Sequence, residues 1–355
     1  MAYKILAINP GSTSTKIAVY HDTAEQLSQS LSHSVEELAG FTNIIDQLDY
    51  RLEKINAFLA SQNLLPQDFS AIVGRGGLFR PMVSGTYVVN AKMLDDIKYS
   101  RYGQHASNLG AILASLIAER AGCPAFIVDP VVVDELDEVA RITGWPETPR
   151  RSIFHALNQK AVGKRFAKSQ QRSYEELNLI IAHLGGGISV GCHKQGRVVD
   201  VNNALNGEGP FSPERAGTMP ASQFADLIID NKLTKADVAK RIAGKGGLVA
   251  HLSTNDAREV EERIKAGDKE AEKVYQAMIY QVARYIAAAA VPVCGNVDYI
   301  ILTGGIAYSE YLTAKLKEYI GFLAPVVIIP GENELQALAE GAYRVLAGEE
   351  TPKEY

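Results

Sequence analysis

The chain contains one short pattern twice: an apolar run, a small polar turn and a second apolar run. The first copy spans residues 5–19 and the second copy spans residues 179–191. Each turn is rich in Gly, Ser or Thr, so a ligand can approach the backbone without meeting a Cβ atom. Backbone N–H groups exposed in such a turn favour an anion, above all a phosphate. The repeat therefore predicts two related domains that hold one phosphorylated ligand between them.

The length and composition are those of a globular protein with two cores. The sequence has 355 residues, of which 46% are hydrophobic and 22% are charged, which is ordinary for such a protein. The net charge is -5 and no basic block occurs, so we expect no nucleic-acid partner. No apolar run reaches the roughly 20 residues that span a bilayer, and we see no signal peptide. Three isolated cysteines, Cys123, Cys192 and Cys294, are typical of a reducing compartment, so we expect a cytoplasmic protein. We expect no membrane partner.

Apolar periodicity predicts helices and strands that alternate after each hairpin, which indicates an α/β fold with mixed sheets flanked by helices. The predicted helices cover residues 46–60, 106–121, 222–229, 235–242, 257–264, 270–291 and 334–346, and residues 150–168 are predicted as a loop that enters a helix. The strands predicted outside the hairpins cover residues 71–73, 125–128, 298–302 and 326–329. Residues 348–355 are interpreted as a linker-like tail. We assign residues 1–157 plus about 335–355 to the first domain and residues 158–334 to the second.

Two interpretations of the most apolar helix, residues 270–291, are open at this stage. Its apolar residues recur at helical spacing, at Val274, Tyr275, Met278, Ile279, Val282 and Ile286. This spacing is typical of a helix that buries one face. Either the helix packs wholly into the core of its own domain, or part of it faces a second copy of the chain.

The repeated turns are not P-loops, because the chain contains no GxxxxGK[ST] motif and no complete GxGxxG after a strand. They resemble the hairpin turns that hold phosphates in the actin, hexokinase and heat-shock ATPase superfamily. A third turn, after the strand at 298–302, resembles the place where this superfamily binds adenosine. The residues predicted to bind ATP or its phosphates are Ser12, Thr13, Lys16, His183, Gly185, Gly186, Gly187, Asp256, Arg258, Gly304 and Gly305.

An ordered series of motifs resembles a narrower group in this superfamily, the acetate and butyrate kinases. In the order of that family, the motifs are NPGSTSTK at 9–16, GRGG at 74–77, HASN at 105–108, VD at 128–129, RRSIFH at 150–155, HLGGG at 183–187, ERAGT at 214–218, STNDAR at 253–258, TGGI at 303–306 and GENEL at 331–335. The NPG and HLGGG segments resemble the butyrate kinase branch, since acetate kinases typically carry NAGSSS and HLGNG there. The resemblance implies two actin-like ATPase (ribonuclease H-like) domains with a cleft between them. It also implies ATP as co-substrate, Mg²⁺ as cofactor and a homodimer or higher homo-oligomer.

The reaction that the resemblance implies is phosphoryl transfer to a carboxylate, and two arginines suit this chemistry. A carboxylate is already a nucleophile at neutral pH, so the reaction requires no general base. Repulsion between that anion and the nucleotide phosphates opposes the transfer. The resemblance assigns Arg75 to the carboxylate and Arg215 to both the carboxylate and the phosphoryl group, which a planar guanidinium can bind through paired hydrogen bonds. We therefore expect direct in-line transfer.

The resemblance also assigns polar side chains to the phosphates. His155 donates to the phosphoryl oxygens during transfer, His183 serves the nucleotide phosphates, and Asn9 with Lys16 steadies the γ-phosphate end. Phosphoryl transfer depends on such positioning and charge stabilisation. The alternative interpretations are structural histidines and a lysine that is simply exposed on its strand.

Acidic residues are predicted near the metal and the arginines. Asp129 follows a strand, where it orients an arginine or is linked to Mg²⁺; the alternative is a turn-capping Asp before a proline. Glu334 is the predicted metal-side acid, with Glu332 second and Asn9 beside them. Relatives often have two adjacent acids at this point, whereas Asn333 separates the two acids of this chain.

The acyl pocket is predicted from glycines that follow the first arginine. Acetate-specific relatives usually have two valines where this chain has Gly76 and Gly77. The missing side chains predict room for a longer tail, each additional buried methylene being worth roughly 0.8 kcal/mol. Phe154 is a predicted wall of the pocket, or alternatively a core residue, and His105 is predicted to line it too. We therefore expect butyrate or isobutyrate to be accepted better than acetate.

The predicted function is reversible phosphoryl transfer between ATP and a short-chain fatty acid, which gives an acyl phosphate and ADP. One alternative is a sugar or polyol kinase of the same superfamily, in which Asp129 would be the general base. The arginine pair argues against it, because an alcohol needs no cationic clamp. A second alternative is a non-catalytic, ATP-gated binding protein, which would not need Arg75.

Overall fold

The computed structural model describes residues 2–355, which form two compact units. The first unit comprises the residues up to Val133 together with Asn333–Tyr355, and the second comprises Asp134–Glu332. Residues 134–157, assigned above to the first domain, lie in the second unit. The domain boundaries derived from the sequence stay a prediction.

Eleven strands and thirteen α-helices occur in the described residues. The strands are β1 (Lys4–Pro10), β2 (Ser14–His21), β3 (Ala24–Ser32), β4 (Ala71–Arg75), β5 (Thr86–Val88), β6 (Ala125–Val128), β7 (Asn178–Leu184), β8 (Ile188–Lys194), β9 (Arg197–Val201), β10 (Tyr299–Thr303) and β11 (Val326–Ile328). The helices are α1 (Val35–Leu38), α2 (Leu48–Ser61), α3 (Ala91–Lys98), α4 (Asn108–Ala121), α5 (Glu138–Arg141), α6 (Ala156–Ser169), α7 (Ala221–Asp230), α8 (Lys235–Ile242), α9 (Leu248–Leu252), α10 (Ala257–Lys265), α11 (Lys269–Ala288), α12 (Glu310–Ile320) and α13 (Glu334–Leu346).

The first unit is built on a six-stranded sheet in the order β3-β2-β1-β4-β6-β5. Strands β1, β2 and β3 form an antiparallel meander, whereas β4 runs parallel to β1 and β6 runs parallel to β4. Leu6 and Ile8 of β1 pack in one core with apolar residues of α2 and α4. Helix α13 contacts β1, β4 and β6. This packing fixes the ends of β1 and β4, from which several predicted site residues project.

The second unit repeats this arrangement on a five-stranded sheet in the order β11-β10-β7-β8-β9. Strands β7, β8 and β9 form an antiparallel meander, while β10 runs parallel to β7 and β11 runs parallel to β10. In both sheets a three-stranded meander is followed by two parallel strands beside its first strand. The predicted α/β class with two mixed sheets is therefore confirmed, and so is the repeat inferred from the two hairpins.

Helix α11 is a core helix of the second unit. The six apolar residues at helical spacing, from Val274 to Ile286, are all buried within the single chain. They belong to a core that includes residues of α12 and of β7, β8 and β10. Asp268 caps the helix by accepting hydrogen bonds from the N–H groups of Glu270 and Ala271. The core interpretation is therefore confirmed for these six residues, whereas contact of another part of the helix with a partner stays a prediction.

The linker-like interpretation of residues 348–355 is wrong. The backbone of Lys353 pairs with β5, donating to and accepting from neighbouring residues of that strand. Tyr355 is 7% exposed, its hydroxyl donates to Asp96 at 2.8 Å, and the Arg80 guanidinium lies 4.5 Å from its ring centre. The polar composition of this segment concealed these contacts. Strands β3, β5 and β9 and helices α3 and α12 were also not predicted.

Within residues 2–355, every helix is either too short or too polar to traverse a bilayer. The longest, α11, spans Lys269–Ala288. Its apolar residues lie along one face, and charged residues such as Lys273 and Arg284 interrupt the sequence. This distribution suits a helix packed at the edge of a protein core.

Candidate active site

The turn between β1 and β2 is the first of the predicted phosphate turns. A hydrogen bond of 2.7 Å from the Gly11 N–H to the Ser14 carbonyl closes it. Ser12, Thr13 and Lys16 are exposed. A ligand can therefore reach both their side chains and the backbone of the turn.

A buried arginine that was not predicted from the sequence stabilises this turn through hydrogen bonds to its carbonyls. Arg51 of α2 is 0% exposed, and its guanidinium donates to the carbonyls of Ser12 at 3.3 Å and Ser14 at 3.2 Å. The carbonyl of Thr13 accepts from the backbone N–H of His33 at 2.8 Å. In a planar trans peptide the C=O and N–H groups point in opposite directions. The bound carbonyls of Ser12 and Thr13 therefore turn the next N–H groups outward, as an anion site requires.

The ends of β1 and β4 and the start of α13 bring three predicted residues together. The register pairs Ile8 with Gly74, so Asn9 and Arg75 follow at neighbouring positions. Arg75 Nη1 lies 2.7 Å from Glu334 Oε2 and 3.3 Å from Asn9 Oδ1. The amide of Asn9 donates to the same Glu334 oxygen at 2.6 Å. Since the side chains of this ion pair are 23% and 12% exposed, the arginine is held in one orientation.

Asp129 follows β6, the neighbour of β4, and it holds a turn. Its Oδ1 accepts from the Ser84 hydroxyl at 2.6 Å and from the Gly85 N–H at 2.8 Å. Its φ of +38° is unusual for a residue with a side chain. Among residues 2–355 its hydrogen bonds include no arginine. These contacts match the turn-holding interpretation, and a role in orienting an arginine stays a prediction.

His105 lies in the loop before α4 as a neutral side chain. Partial desolvation and the positive charge of Arg75 lower its pKa. Its Nδ1 accepts from the backbone N–H of Ser107 at 3.2 Å. Its place in an acyl pocket stays a prediction, but the effect on its pKa indicates that Arg75 is close.

The inference that Gly76 and Gly77 leave room for an acyl tail is wrong. A Cβ atom on Gly77 would overlap the amide oxygen of Asn108 and would lie 2.6 Å from its backbone nitrogen. A Cβ atom on Gly76 would lie 2.7 Å from the Cβ of Pro130. The start of α4 fills this space, with Asn108 Oδ1 accepting from the Leu78 N–H at 2.8 Å. The two glycines permit close packing of the chain against itself.

Replacing Gly77 with alanine is expected to destabilise the protein without changing its preferred acid. The start of α4 must move to relieve the overlap with Asn108, which costs about 1–3 kcal/mol. A thermal melt should show a lower Tm than wild type, while the ratio of kcat/KM for butyrate and acetate is unchanged. Gly40→Ala is the matched control, since its Cβ would meet nothing within 4 Å. An unchanged Tm with a ratio shifted toward acetate would restore the pocket interpretation.

In the second unit, the rings of His155 and His183 stack face to face. Their centroids are 3.8 Å apart and their planes differ by 10°. His155 Nδ1 lies 2.8 Å from Ser189 Oγ, and His183 Nδ1 lies 2.9 Å from Asn158 Oδ1. Phe154, immediately before the first histidine, is 2% exposed, which fits both a core residue and a pocket wall. The two predicted histidines are therefore together, each oriented by a buried polar partner.

The turn between β7 and β8, residues 185–187, is built on the same principle as the first turn. The carbonyl of Gly186 accepts from the Ser212 hydroxyl at 2.6 Å and from the Glu214 N–H at 3.1 Å. An inward carbonyl again turns the following N–H, that of Gly187, in the opposite direction. The second predicted phosphate turn therefore also presents a backbone donor.

Arg215 and His155 both lie close to Gly187. A Cβ atom on this glycine would lie 3.8 Å from His155 Cε1 and 4.0 Å from Arg215 Cγ. Arg215 Nη1 is 3.4 Å from Glu214 Oε2, and its buried Nε has no hydrogen-bond partner among the described residues. An unsatisfied buried donor is costly. A bound anion beside Arg215 would satisfy it.

The predicted adenosine-side residues line one cavity of the second unit. Its volume is about 940 Å³, and Asp256, Arg258, Gly305 and Tyr308 are among its lining residues. Asp256 and Arg258 form an exposed ion pair at 2.7 Å, and the hydrogen bond from the arginine lowers the pKa of Asp256 to about 2. The neighbouring Gly304 has a φ of +92°, and its N–H donates to the backbone that follows β11. A cavity of this size accommodates a nucleoside.

The two predicted metal-side acids belong to different units. Glu334 is in the first unit and binds Arg75, whereas Glu332 is in the second and lies 3.6 Å from His183 Nε2. In the part of the chain that the structure describes, no three His, Cys, Asp or Glu side chains form a group that could hold a metal. The roles of these acids toward a metal stay predictions.

Sequence analysis missed the buried polar residues that orient the predicted ones. Arg51, Asn158, Gln159 and Ser189 are each at most 1% exposed. Each lies within a helix or strand that was predicted at least in part. Polar residues at buried positions are uncommon and need hydrogen-bond partners. That rule could have marked them as candidates, but it could not have named their partners.

Comparison with solved structures identifies the fold class. Acetate kinase from Porphyromonas gingivalis superposes with a TM-score of 0.76 at 18% identity, covering 96% of this chain and 99% of that one. A propionate kinase from Francisella tularensis gives a TM-score of 0.74 at 18% identity, covering 95% and 98%. At these identities the likeness concerns the fold alone. The fold is that of the acetate kinases, as predicted.

Comparison of sequences identifies the family. A family model described as the acetokinase family matches residues 147–320. The protein called butyrate kinase 2 of Clostridium acetobutylicum is 53% identical over 355 residues, covering 100% of both chains. The chain belongs to the acetokinase family. The prediction from its motifs that it is a kinase of this family is confirmed.

Proposed function

We propose that this chain catalyses reversible phosphoryl transfer between ATP and a short-chain carboxylate, giving an acyl phosphate and ADP, with butyrate or isobutyrate as the preferred acid. The observation that carries this proposal is the orientation of Arg75 by Glu334 and Asn9, with ion-pair and amide distances of 2.7 and 3.3 Å. A guanidinium held in this way is suited to bind a carboxylate. The relative at 53% identity bears the name butyrate kinase 2.

In the proposed reaction a carboxylate oxygen attacks the γ-phosphorus of ATP and the bond to the bridging oxygen of ADP breaks. Arg75 binds the acid, and Arg215 offsets the negative charge of the transferred group. His155, beside Arg215 at the second turn, donates to a phosphoryl oxygen. Positioning and charge stabilisation of this kind are the main means by which phosphoryl transfer is catalysed.

The nucleotide is proposed to bind through the turns and the cavity described above. The outward backbone N–H groups of Thr13, Ser14 and Gly187 would hold phosphates. The cavity beside Asp256 and Arg258 would receive the adenosine, with Gly304 and Gly305 close to it. His183 and Lys16 are proposed to contact phosphate oxygens.

Magnesium is proposed as the cofactor, and the oxygen donors present fit it. Mg²⁺ is commonly held by one or two carboxylates together with substrate phosphates and water. Glu334 and Asn9 supply a carboxylate and an amide oxygen at one point of the first unit. When bound with ATP, the ion neutralises part of the phosphate charge.

The proposed preference for a four-carbon acid rests on the sequence likeness, because Pro130 and Asn108 fill the space beside Gly76 and Gly77. The NPG and HLGGG segments resemble the butyrate kinase branch. By the same likeness, we propose a cytoplasmic homo-oligomer. The apolar face of α11 is buried in its own chain and is not proposed as the contact.

The proposed function is tested by acyl hydroxamate formation. Purified protein with Mg-ATP and hydroxylamine is given acetate, propionate, butyrate, isobutyrate or valerate, and the rate is measured for each. We expect the largest kcat/KM with a four-carbon acid and no product after chelation of the metal. A maximum at acetate would keep the kinase and refute the chain-length preference. ATP turnover that is independent of any acid, with no hydroxamate, would favour an ATP-gated binding protein.

A further inference from the structure

We propose that a directional chain of hydrogen bonds, from His193 through Gln159 and Ser189, fixes His155 in the tautomer with its proton on Nε2. Gln159, Ser189 and His193 are then positioning residues for the transfer. The tautomer follows from hydrogen-bond geometry within the second unit, whereas its catalytic consequence rests on the proposed function. Which ring nitrogen of a histidine carries the proton is set by the partner of the other nitrogen.

The amide of Gln159 determines which groups donate and which accept in this chain of hydrogen bonds. This side chain is 0% exposed, and its Nε2 lies 3.1 Å from the backbone carbonyl of Ser189. A carbonyl oxygen only accepts, so the NH₂ end of the amide must face it. The opposite end, Oε1, faces His193 Nε2 at 2.9 Å. The amide orientation therefore has one solution.

His193 is consistent with this orientation. Its Nε2 must carry a proton, because Gln159 Oε1 can only accept. Burial lowers the pKa of His193 well below its usual value, so the ring is neutral and its Nδ1 is an acceptor. The Tyr174 hydroxyl lies 2.5 Å from this Nδ1 and can donate to it. The three groups thus form one consistent series of donors and acceptors.

The hydroxyl of Ser189 accepts from Gln159 and donates to His155. Ser189 Oγ accepts from Gln159 Nε2 at 2.8 Å and also lies 2.8 Å from His155 Nδ1. Its third contact in the described chain is the backbone N–H of His155 at 3.5 Å, which is also a donor. His155 Nδ1 is therefore the one group that can accept the hydroxyl proton. A neutral His155 must then carry its own proton on Nε2.

In its neutral form the stacked neighbour, His183, has the opposite tautomer, with Glu332 Oε1 3.6 Å from its Nε2. Asn158 Nδ2 lies 2.9 Å from the carbonyl of Glu332, so its amide orientation is fixed as well. Asn158 Oδ1 then accepts from His183 Nδ1 at 2.9 Å. A neutral His183 has its lone pair on Nε2. Of the two stacked rings, the neutral donor at Nε2 is therefore His155.

The tautomer is tested by ¹⁵N NMR of the histidine rings in the full-length, deuterated protein. The chain has 7 histidines, and the signals of His155 are assigned by their loss in His155→Gln. At a pH where the ring is neutral, we expect a protonated-type shift for its Nε2 and an unprotonated-type shift for its Nδ1. A His155 with the proton on Nδ1 in the wild-type protein would overturn the proposal, whether or not the protein is active.

Two substitutions test the chain of hydrogen bonds itself. Ser189→Ala removes the donor to His155, and Gln159→Glu removes the donor to Ser189. Each is expected to move the ring shifts toward a mixture of tautomers and to lower kcat about tenfold, with little change in KM for the acid. Ser189→Thr keeps the hydroxyl and should restore both values, and Ser169→Ala, at the end of α6, is the matched control.

The outcomes separate this proposal from the proposed function. Altered kinetics in Ser189→Ala with unchanged ring shifts would overturn the positioning role. The predicted tautomer in a protein that forms no acyl hydroxamate would support the hydrogen-bond chain and refute the kinase assignment. Thermal melts of all variants show whether a loss of kcat accompanies a loss of folded protein.

Discussion

Replacing Arg75 with methionine is expected to lower kcat/KM for the carboxylate about 10²–10³-fold. The guanidinium is the cation proposed to hold the acid, and its ion pair with Glu334 at 2.7 Å keeps it in position. Methionine retains much of the length of the side chain and removes the charge together with all five donors. The remaining Glu334 carboxylate would then repel the incoming acid. The loss should appear with saturating ATP and varied butyrate in the hydroxamate assay.

Two further variants test whether the loss of kcat/KM is caused by removal of the Arg75 guanidinium. Arg75→Lys keeps the charge without the planar fork, so an intermediate loss is expected. Arg120→Met changes an exposed arginine at the end of α4 and should leave kcat/KM unchanged. If Arg75→Met formed hydroxamate at the wild-type rate, its proposed role in binding the acid would be refuted. Affinity for ADP, measured by calorimetry, should be nearly the same in all three variants.

Much of the fold could be predicted because its signals are local. The two hairpins alternate short apolar runs with small polar turns, and the structure pairs them as β1–β2 and β7–β8. The helix predicted over residues 106–121 ends at residue 121 as α4, where Gly122 follows with a φ of +68°. Strands β3 and β9 escaped prediction. Strand β3 is largely exposed and so lacks a run of buried apolar residues, whereas Arg197 and Asp200 leave β9 only two consecutive apolar residues.

The errors arose where one segment meets another that is distant in sequence. Gly77 was interpreted as empty space, but Asn108 fills that space from the start of α4. Tyr355 appeared to end a loose tail, but its hydroxyl reaches Asp96. Neither partner is visible from the local pattern of residues. Conversely, Arg75, Asn9 and Glu334 were each proposed from motifs. Their contacts with one another could be identified only from the folded structure.

The second large effect is expected from Arg51→Met, which should weaken ADP binding about 10–100-fold, equivalent to roughly 1.4–2.8 kcal/mol. Arg51 is buried, and its guanidinium binds the carbonyls of Ser12 and Ser14, the Thr15 hydroxyl and the Gln47 amide oxygen. Among residues 2–355 none of its hydrogen-bond partners is a carboxylate. Its charge is therefore offset by neutral dipoles, and it favours an anion at the turn. Burying a cation without a carboxylate partner costs free energy. Binding of a phosphate at the turn would compensate for that cost.

Loss of the guanidinium would leave the Ser12 carbonyl without its donor, at about 1–3 kcal/mol for a buried group, and would leave the Ser14 carbonyl with the Gly11 N–H alone. The turn should then rearrange and lose its outward N–H groups. Arg51→Lys keeps the charge but cannot reach both carbonyls, and we expect part of the ADP affinity to be retained. Lys54→Met, one turn further along α2 and half-buried, is the matched control, since its ion pair with Glu37 lies outside the turn. A folded Arg51→Met protein with wild-type ADP affinity would mean that Arg51 serves the core alone.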